Sequence, residues 1–228
     1  QKLEFDSSNN CYILTPYKII KCNSSLTSIL WCKTPFQTTP FIKSMVVNKT
    51  TGEVYIVFND TPGTTPFFGI VQKYDTNGNV LWSRKISASG DISIEGISID
   101  SNSNIIVYGT GTNTTYWSLY GFVVKIDSSG NELWYKSFKY GRVDLNSYVD
   151  SICIDSSNNI YVAGAYCYGA AGSYTVPSFV AKLNSSGTLL WQTQIFIGSD
   201  KTYTQCLGFD LLSIYTCLLY TSDAADDT

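Results

Sequence analysis

Apolar and polar residues alternate along this chain in short bursts. ISIEGISI at 92–99, NIIVYG at 104–109, GFVVKI at 121–126 and NELWYKSF at 131–138 are rich in β-branched and aromatic residues, and each is bounded by Gly, Asn, Asp or Ser. Runs of this kind predict strands, and four in succession predict an antiparallel meander, here lettered A to D. The same order returns in YVDSICI, NIYVAG, SFVAKL and TLLWQTQIF. Helical periodicity is absent, and no apolar run approaches the roughly 18 residues of a membrane-spanning helix.

Two cassettes alternate along the chain. One is KYDTNGNVLW at 73–82, KIDSSGNELW at 125–134 and KLNSSGTLLW at 182–191, with a looser copy, KCNSSLTSILW, at 21–31. The other is ISIDSNSNIIVYG at 97–109 and ICIDSSNNIYVAG at 152–164, with variants EFDSSNNCYIL at 4–14 and VVNKTTGEVYIV at 46–57. Trp31, Trp82, Trp134 and Trp191 recur at intervals of 51, 52 and 57 residues. A period near 50 with four strands per period is that of a propeller blade. The expected fold is therefore all-β, a β-propeller fragment of about four four-stranded antiparallel blades. The divisions are a degenerate first blade at 1–40, blades at 41–90, 91–146 and 147–200, and the start of a further blade at 201–216. The last segment, 217–228, resembles translated read-through of a transposase-type sequencing adapter and is read as non-native. The chain opens QKLEF without a methionine, inside an expected strand, so its natural start is expected to lie upstream. Such an open arc of blades leaves two sheet edges unsatisfied and is expected to self-associate.

Local chemistry explains why the cassettes recur. An Asp or Asn at the head of a tight hairpin accepts hydrogen bonds from the backbone amides that follow it, and Gly78, Gly130 and Gly187 supply a positive φ. Asp100 and Asp155 head the A–B turns in the same way. The tryptophan on strand D carries a large apolar area suited to wedging between sheets. Trp31, Trp82, Trp134, Trp191, the three glycines and the two aspartates are thus read as structural.

The Asp-Ser-Ser-x-Asn turn and short Ile/Val/Tyr strand, followed by FVAKLNSSGTLLW, resemble the bacterial seven-bladed β-propeller (SBBP-type) repeat family. The resemblance covers most of 42–200 and weakens before it, where Leu26 replaces the turn glycine and one residue is inserted. It implies an extracellular or cell-surface location. A more distant similarity is to the tryptophan-docking repeats of quinoprotein-like propellers. The turn here is one residue shorter, so that family's cofactor chemistry is not carried over. Sialidase Asp boxes depart the other way, with a tighter spacing.

Composition narrows the function. Of 228 residues 14% are charged, and 15 basic groups face 18 acidic ones. Setting aside Asp223, Asp226 and Asp227 balances them at 15 each, and without a basic cluster a nucleic-acid partner is not expected. Histidine is absent, so Ser-His-Asp and Cys-His machinery cannot be built from this chain. Glu53, Asp91, Glu95 and Asp150 form no evident catalytic pair. Cys11, Cys22, Cys32, Cys153, Cys167 and Cys206 contain no CxxC, so no metal is expected; disulfides and buried free thiols both remain open. DTNGN at 75–79 and DSNSN at 100–104 imitate the start of a calcium loop but lack its twelfth-position glutamate, and GTGT at 109–112 is followed by neither the lysine nor the helix of a phosphate cradle. Sequons at Asn23, Asn48, Asn59, Asn113 and Asn184 fit a secreted protein.

Parity of the meander puts A–B and C–D turns on one face and B–C and D-to-A connections on the other. The second face receives the loops 59–69, 110–121 and 165–178, which differ between blades and are rich in Tyr, Trp, Gly and Thr. Tyr116, Trp117, Tyr120, Tyr166, Tyr168 and Tyr174 are the candidate ligand contacts. The expected function is a non-catalytic binding module for a protein or glycan partner, with no cofactor and no membrane span. The alternative is part of a propeller enzyme, lyase or quinoprotein-like, whose catalytic residues lie in other blades.

Overall fold

The computed structural model describes residues 2–35, 41–60, 67–88, 90–115, 118–139, 146–167, 178–195, 201–209 and 214–221, the last two and Cys167 as backbone only. All regular structure among them is β. Four sheets of four strands follow one another along the chain, each in the order of its sequence. They are β1–β4 (Lys2–Phe5, Cys11–Leu14, Ile19–Cys22, Ile29–Lys33), β5–β8 (Phe41–Val47, Val54–Asp60, Phe68–Tyr74, Val80–Ile86), β9–β12 (Ile92–Ile99, Ile105–Asn113, Ser118–Ile126, Glu132–Phe138) and β13–β16 (Asn146–Ile154, Ile160–Cys167, Ser178–Leu183, Leu189–Ile195). A hairpin of β17 (Lys201–Phe209) and β18 (Ile214–Thr221) comes last. It runs into the segment read as adapter, whose first residues pair with β17. These four sheets are the blades of a propeller fragment.

The chain divides into two compact units, Gln1–Val107 with Lys125–Leu133, and Tyr108–Val124 with Trp134–Thr228. In the first, Tyr12, Leu14 and Ile19 pack with Ile42, Met45, Val47, Val54, Ile56, Phe58 and Tyr74, and Trp31 lies against this cluster. The apolar residues of strands B and C lie on both sheet faces and are almost all buried, as continuous apolar runs in central strands require. Strand D alternates instead: Leu81 is 50% exposed while Ile86 is buried. In the second unit Gly121 is bare because the β13 backbone passes over it; a Cβ there would lie 2.8 Å from the Val149 nitrogen.

The third blade's central hairpin is longer than expected. Strands predicted at 104–109 and 121–126 extend to Ile105–Asn113 and Ser118–Ile126, so much of the loop assigned to 110–121 is ladder. Thr110 and Thr112 are β-branched and accept the extended conformation that their polarity disguised.

Candidate interaction surfaces

The tightly built sites of this molecule are the C–D turns. Asp75 Oδ1 accepts the amides of Asn77 and Asn79 at 2.9 and 2.7 Å, and Oδ2 accepts Asn79 Nδ2 at 2.9 Å. Asp127 is held the same way by Ser129 and Asn131. The side-chain amide of Asn79 leads in holding the Asp75 carboxyl below its usual value, and that of Asn131 does so for Asp127. Gly78, Gly130 and Gly187 close the turns with φ of 78°, 92° and 81°.

Each of these turns carries the tryptophan of the preceding blade. The Trp31 indole N–H donates to the Thr76 carbonyl at 3.0 Å, Trp82 to Ser128 at 3.1 Å and Trp134 to Ser185 at 3.2 Å. The ring lies flat on the turn glycine: a Cβ built on Gly78 would come 2.9 Å from Trp31 Cδ2. Trp191 sits at the equivalent place on β16 and is 40% exposed.

A second element of the cassette is its lysine. Lys21, Lys73 and Lys125 are buried on strand C, and Lys182 is half-buried. Burial of an ammonium demands a counter-charge, which the A–B turn supplies. Lys125 Nζ lies 2.8 Å from Asp100 Oδ2, Lys21 lies 3.5 Å from Asp6 and Lys182 lies 3.7 Å from Asp155. In the second blade Asn48 stands at the aspartate position, and Glu53 takes over at 2.8 Å from Lys73. Burial by itself would raise the Asp100 carboxyl; Lys125 and Asn104 outweigh it and hold the group below its usual value. Three of the ammonium groups also lie over tyrosine rings, 4.9 Å from Tyr12, 5.3 Å from Tyr55 and 4.8 Å from Tyr161. Lys21 and Lys73 reach on to the carbonyls of Thr76 and Ser128, which already accept an indole N–H. Sequence reasoning noted this lysine without a role. A lysine with apolar neighbours on a strand otherwise buried was the signal.

Other carboxylates find partners too. Glu95 pairs with Lys43 at 3.2 Å, and Asp91 accepts the Phe67 amide at 2.7 Å. Cys11 and Cys22 are buried opposite one another across β2 and β3 as free thiols; Cys32 and Cys153 are also free.

Of the six candidate contact residues, Tyr116, Trp117, Tyr168 and Tyr174 lie outside the described residues. Tyr166 is corrected by its burial: 1% exposed, it stacks on Phe179 at 4.6 Å between centroids, and its hydroxyl accepts Gln192 Nε2 at 2.6 Å. It continues strand B, whose parity turns its ring inward. Tyr120 is half-buried on β11 with Lys139 Nζ 5.3 Å above its ring. One blade earlier Phe68 occupies the same position, just before the strand-C glycine, and Lys85 Nζ lies 3.5 Å above it. On the opposite face the A–B turns enclose a groove of about 420 Å³ lined by Glu4, Val47, Asn48, Thr50, Asp100 and Ser103. Asn48 bridges it, donating to Ser103 Oγ at 2.9 Å. No residue in the described set belongs to a helix long and apolar enough to cross a membrane.

No protein-family profile matches the chain. An uncharacterized WD repeat-containing protein of Acanthamoeba polyphaga mimivirus is 27% identical over 126 residues, which cover 48% of this chain and 9% of that protein. Among solved structures, a Pseudomonas brassicacearum lignostilbene dioxygenase superposes with a TM-score of 0.50 at 7% identity, covering 88% of this chain and 48% of that one. A eukaryotic initiation factor does so with a TM-score of 0.46 at 12% identity, covering 86% and 55%. The chain thus spans about half the length of these structures and a small part of the viral protein. At such identities the dioxygenase likeness speaks to fold alone, and with the viral relative and the four-stranded sheets it makes this chain a β-propeller repeat protein.

Proposed function

We propose that the chain is a non-catalytic, extracytoplasmic propeller module of the bacterial repeat type, binding protein or glycan through the face of its B–C and D-to-A loops. The observation that carries this reading is the aromatic–lysine pair at the loop end of strand C, Phe68 with Lys85 and Tyr120 with Lys139. A half-buried ring offers an apolar platform for a sugar face or side chain, and the adjacent ammonium offers a donor to hydroxyls or carboxylates. The turn face, by contrast, spends its aspartates and lysines on one another within the scaffold.

A glycan array probed with the protein tests this, followed by titration of the strongest ligand. Joint substitution of Tyr120 and Lys139 by alanine, or of Trp117 and Tyr120, should weaken binding at least about tenfold with the circular-dichroism spectrum unchanged. Undiminished binding by such folded variants would refute the assigned face, and turnover of the ligand would refute the non-catalytic reading.

A further inference from the structure

The indole docks are directional. Each joins a donor, the strand-D tryptophan of one blade, to an acceptor, the C–D turn of the next, and each acceptor needs a bare glycine under the ring. A Cβ on Gly187 would come 2.7 Å from Trp134 Cδ2, and one on Gly130 would come 3.2 Å from Trp82 Cδ2. Among the described residues, the three Asx-x-x-Gly C–D turns each carry an indole already.

The first blade's C–D turn has the same backbone. Leu26 N–H donates to the Asn23 carbonyl at 3.0 Å, as Gly78 does to Asp75 at 3.1 Å, and Leu26 holds a φ of 56°. A branched residue rarely adopts that left-handed conformation. At the equivalent glycines a Cβ would run into the docked indole, and the Leu26 side chain is 62% exposed. At the other end of the series Trp191, 40% exposed, meets Tyr161 of its own blade edge-on at 6.2 Å.

We infer that Trp191 presents the unfilled donor half of this dock, that its partner is an Asx-x-x-Gly hairpin turn of a further blade, and that Leu26 closes the first blade's turn to every indole. Continuity with the three filled docks identifies the occupant. A second copy of the chain offers Trp191 nothing, because its glycine turns are taken and its remaining turn carries leucine. Blades therefore add by this contact at the Trp191 side, and a blade set against the turn that carries Leu26 is held by other contacts.

The test extends the full chain after Thr228 with a copy of residues 121–138, which supplies strand C, an Asp-Ser-Ser-Gly turn and strand D. Thermal unfolding of the extended protein should show a midpoint about 4 °C or more above the parent. Placing leucine at the glycine of the added turn should abolish the rise, as should Trp191→Ala, and the two changes together should do no more than either alone. Equal midpoints with glycine or leucine in the added turn, additive losses, or no rise at all would overturn the inference. A second arm reads Leu26: sedimentation of the parent chain with and without Trp191→Ala should show no association through that tryptophan, and a Trp191-dependent dimer would overturn the closure of the first turn.

Discussion

Trp82 and Ser128 lie 46 residues apart and are joined by a single hydrogen bond of 3.1 Å from indole nitrogen to turn carbonyl. That bond, with the glycine two residues on beneath the ring, shows how a hairpin turn becomes the seat of the neighbouring blade. Lys73 Nζ donates to the same carbonyl at 3.1 Å, so one backbone oxygen gathers the two cassette residues that point across the blade boundary.

Removing either half of this seat should cost the same interaction. Trp82→Ala is expected to destabilise by about 3 kcal/mol, since the ring is half-buried. Gly130→Leu should approach that value, because it adds strain at positive φ to loss of the dock. Urea unfolding of the double variant should fall well short of the sum of the two; strict additivity would show that ring and turn act independently.

The acid of the second blade has moved rather than vanished. Glu53→Gln leaves Lys73 buried without its counter-charge and should cost about 3 kcal/mol. Asn48→Asp in that background restores the arrangement of the other blades and should recover part of the loss. The same Asn48→Asp change in the parent should bring little gain, as measured by urea midpoint.

Acid should unfold this protein through its turns. The carboxyls of Asp6, Asp100 and Asp155 are lowered in the folded state: hydrogen bonds, joined by Lys21 at Asp6 and Lys125 at Asp100, overcome the effect of burial. A lowered folded value means that the stability they confer is complete above the unfolded value of 3.8 and is lost as pH falls through the folded one. Stability should hold flat from pH 7 to about 5 and drop below about 4. Asp100→Asn should lower the plateau and flatten the drop. A plateau unchanged in that variant would count against the Lys125 pairing.

Thiol reactivity should rank by environment. Burial, followed by the charge of Asp155, pushes the Cys153 thiol up to about 11, and burial followed by Cys22 raises Cys11. Cys32 is exposed. At pH 8 the thiolate is the reacting species, so Cys32 should be alkylated first, the half-buried Cys153 far more slowly, and the buried Cys11 only on unfolding. Peptide mapping after timed alkylation checks this order.

Strands and turns were legible in the residues because their causes are local. An Asx side chain bonds amides two and four positions on, and a strand announces itself through its own alternation. Strand A of the third blade, Ile92–Ile99, matches its expected span for that reason. Tyr166 was misplaced because a tyrosine two residues after a glycine looks the same whether strand B stops there or continues inward. Four of the loop aromatics lie outside the described residues, so the proposed binding face rests on Tyr120 with Lys139 and Phe68 with Lys85.

The sequence by itself determined the blade: its four strands, its glycine turns and the period that repeats them, all settled by interactions within a few residues. Only the tertiary structure decided which turn seats which indole, that the strand-C lysine is paired with the A–B turn, and that Glu53 answers for Asn48. The docks join groups 45 to 51 residues apart, and the lysine pairings join strand C to the turn before strand B. Alternation along a chain records which face a side chain takes, never which distant group will meet it there.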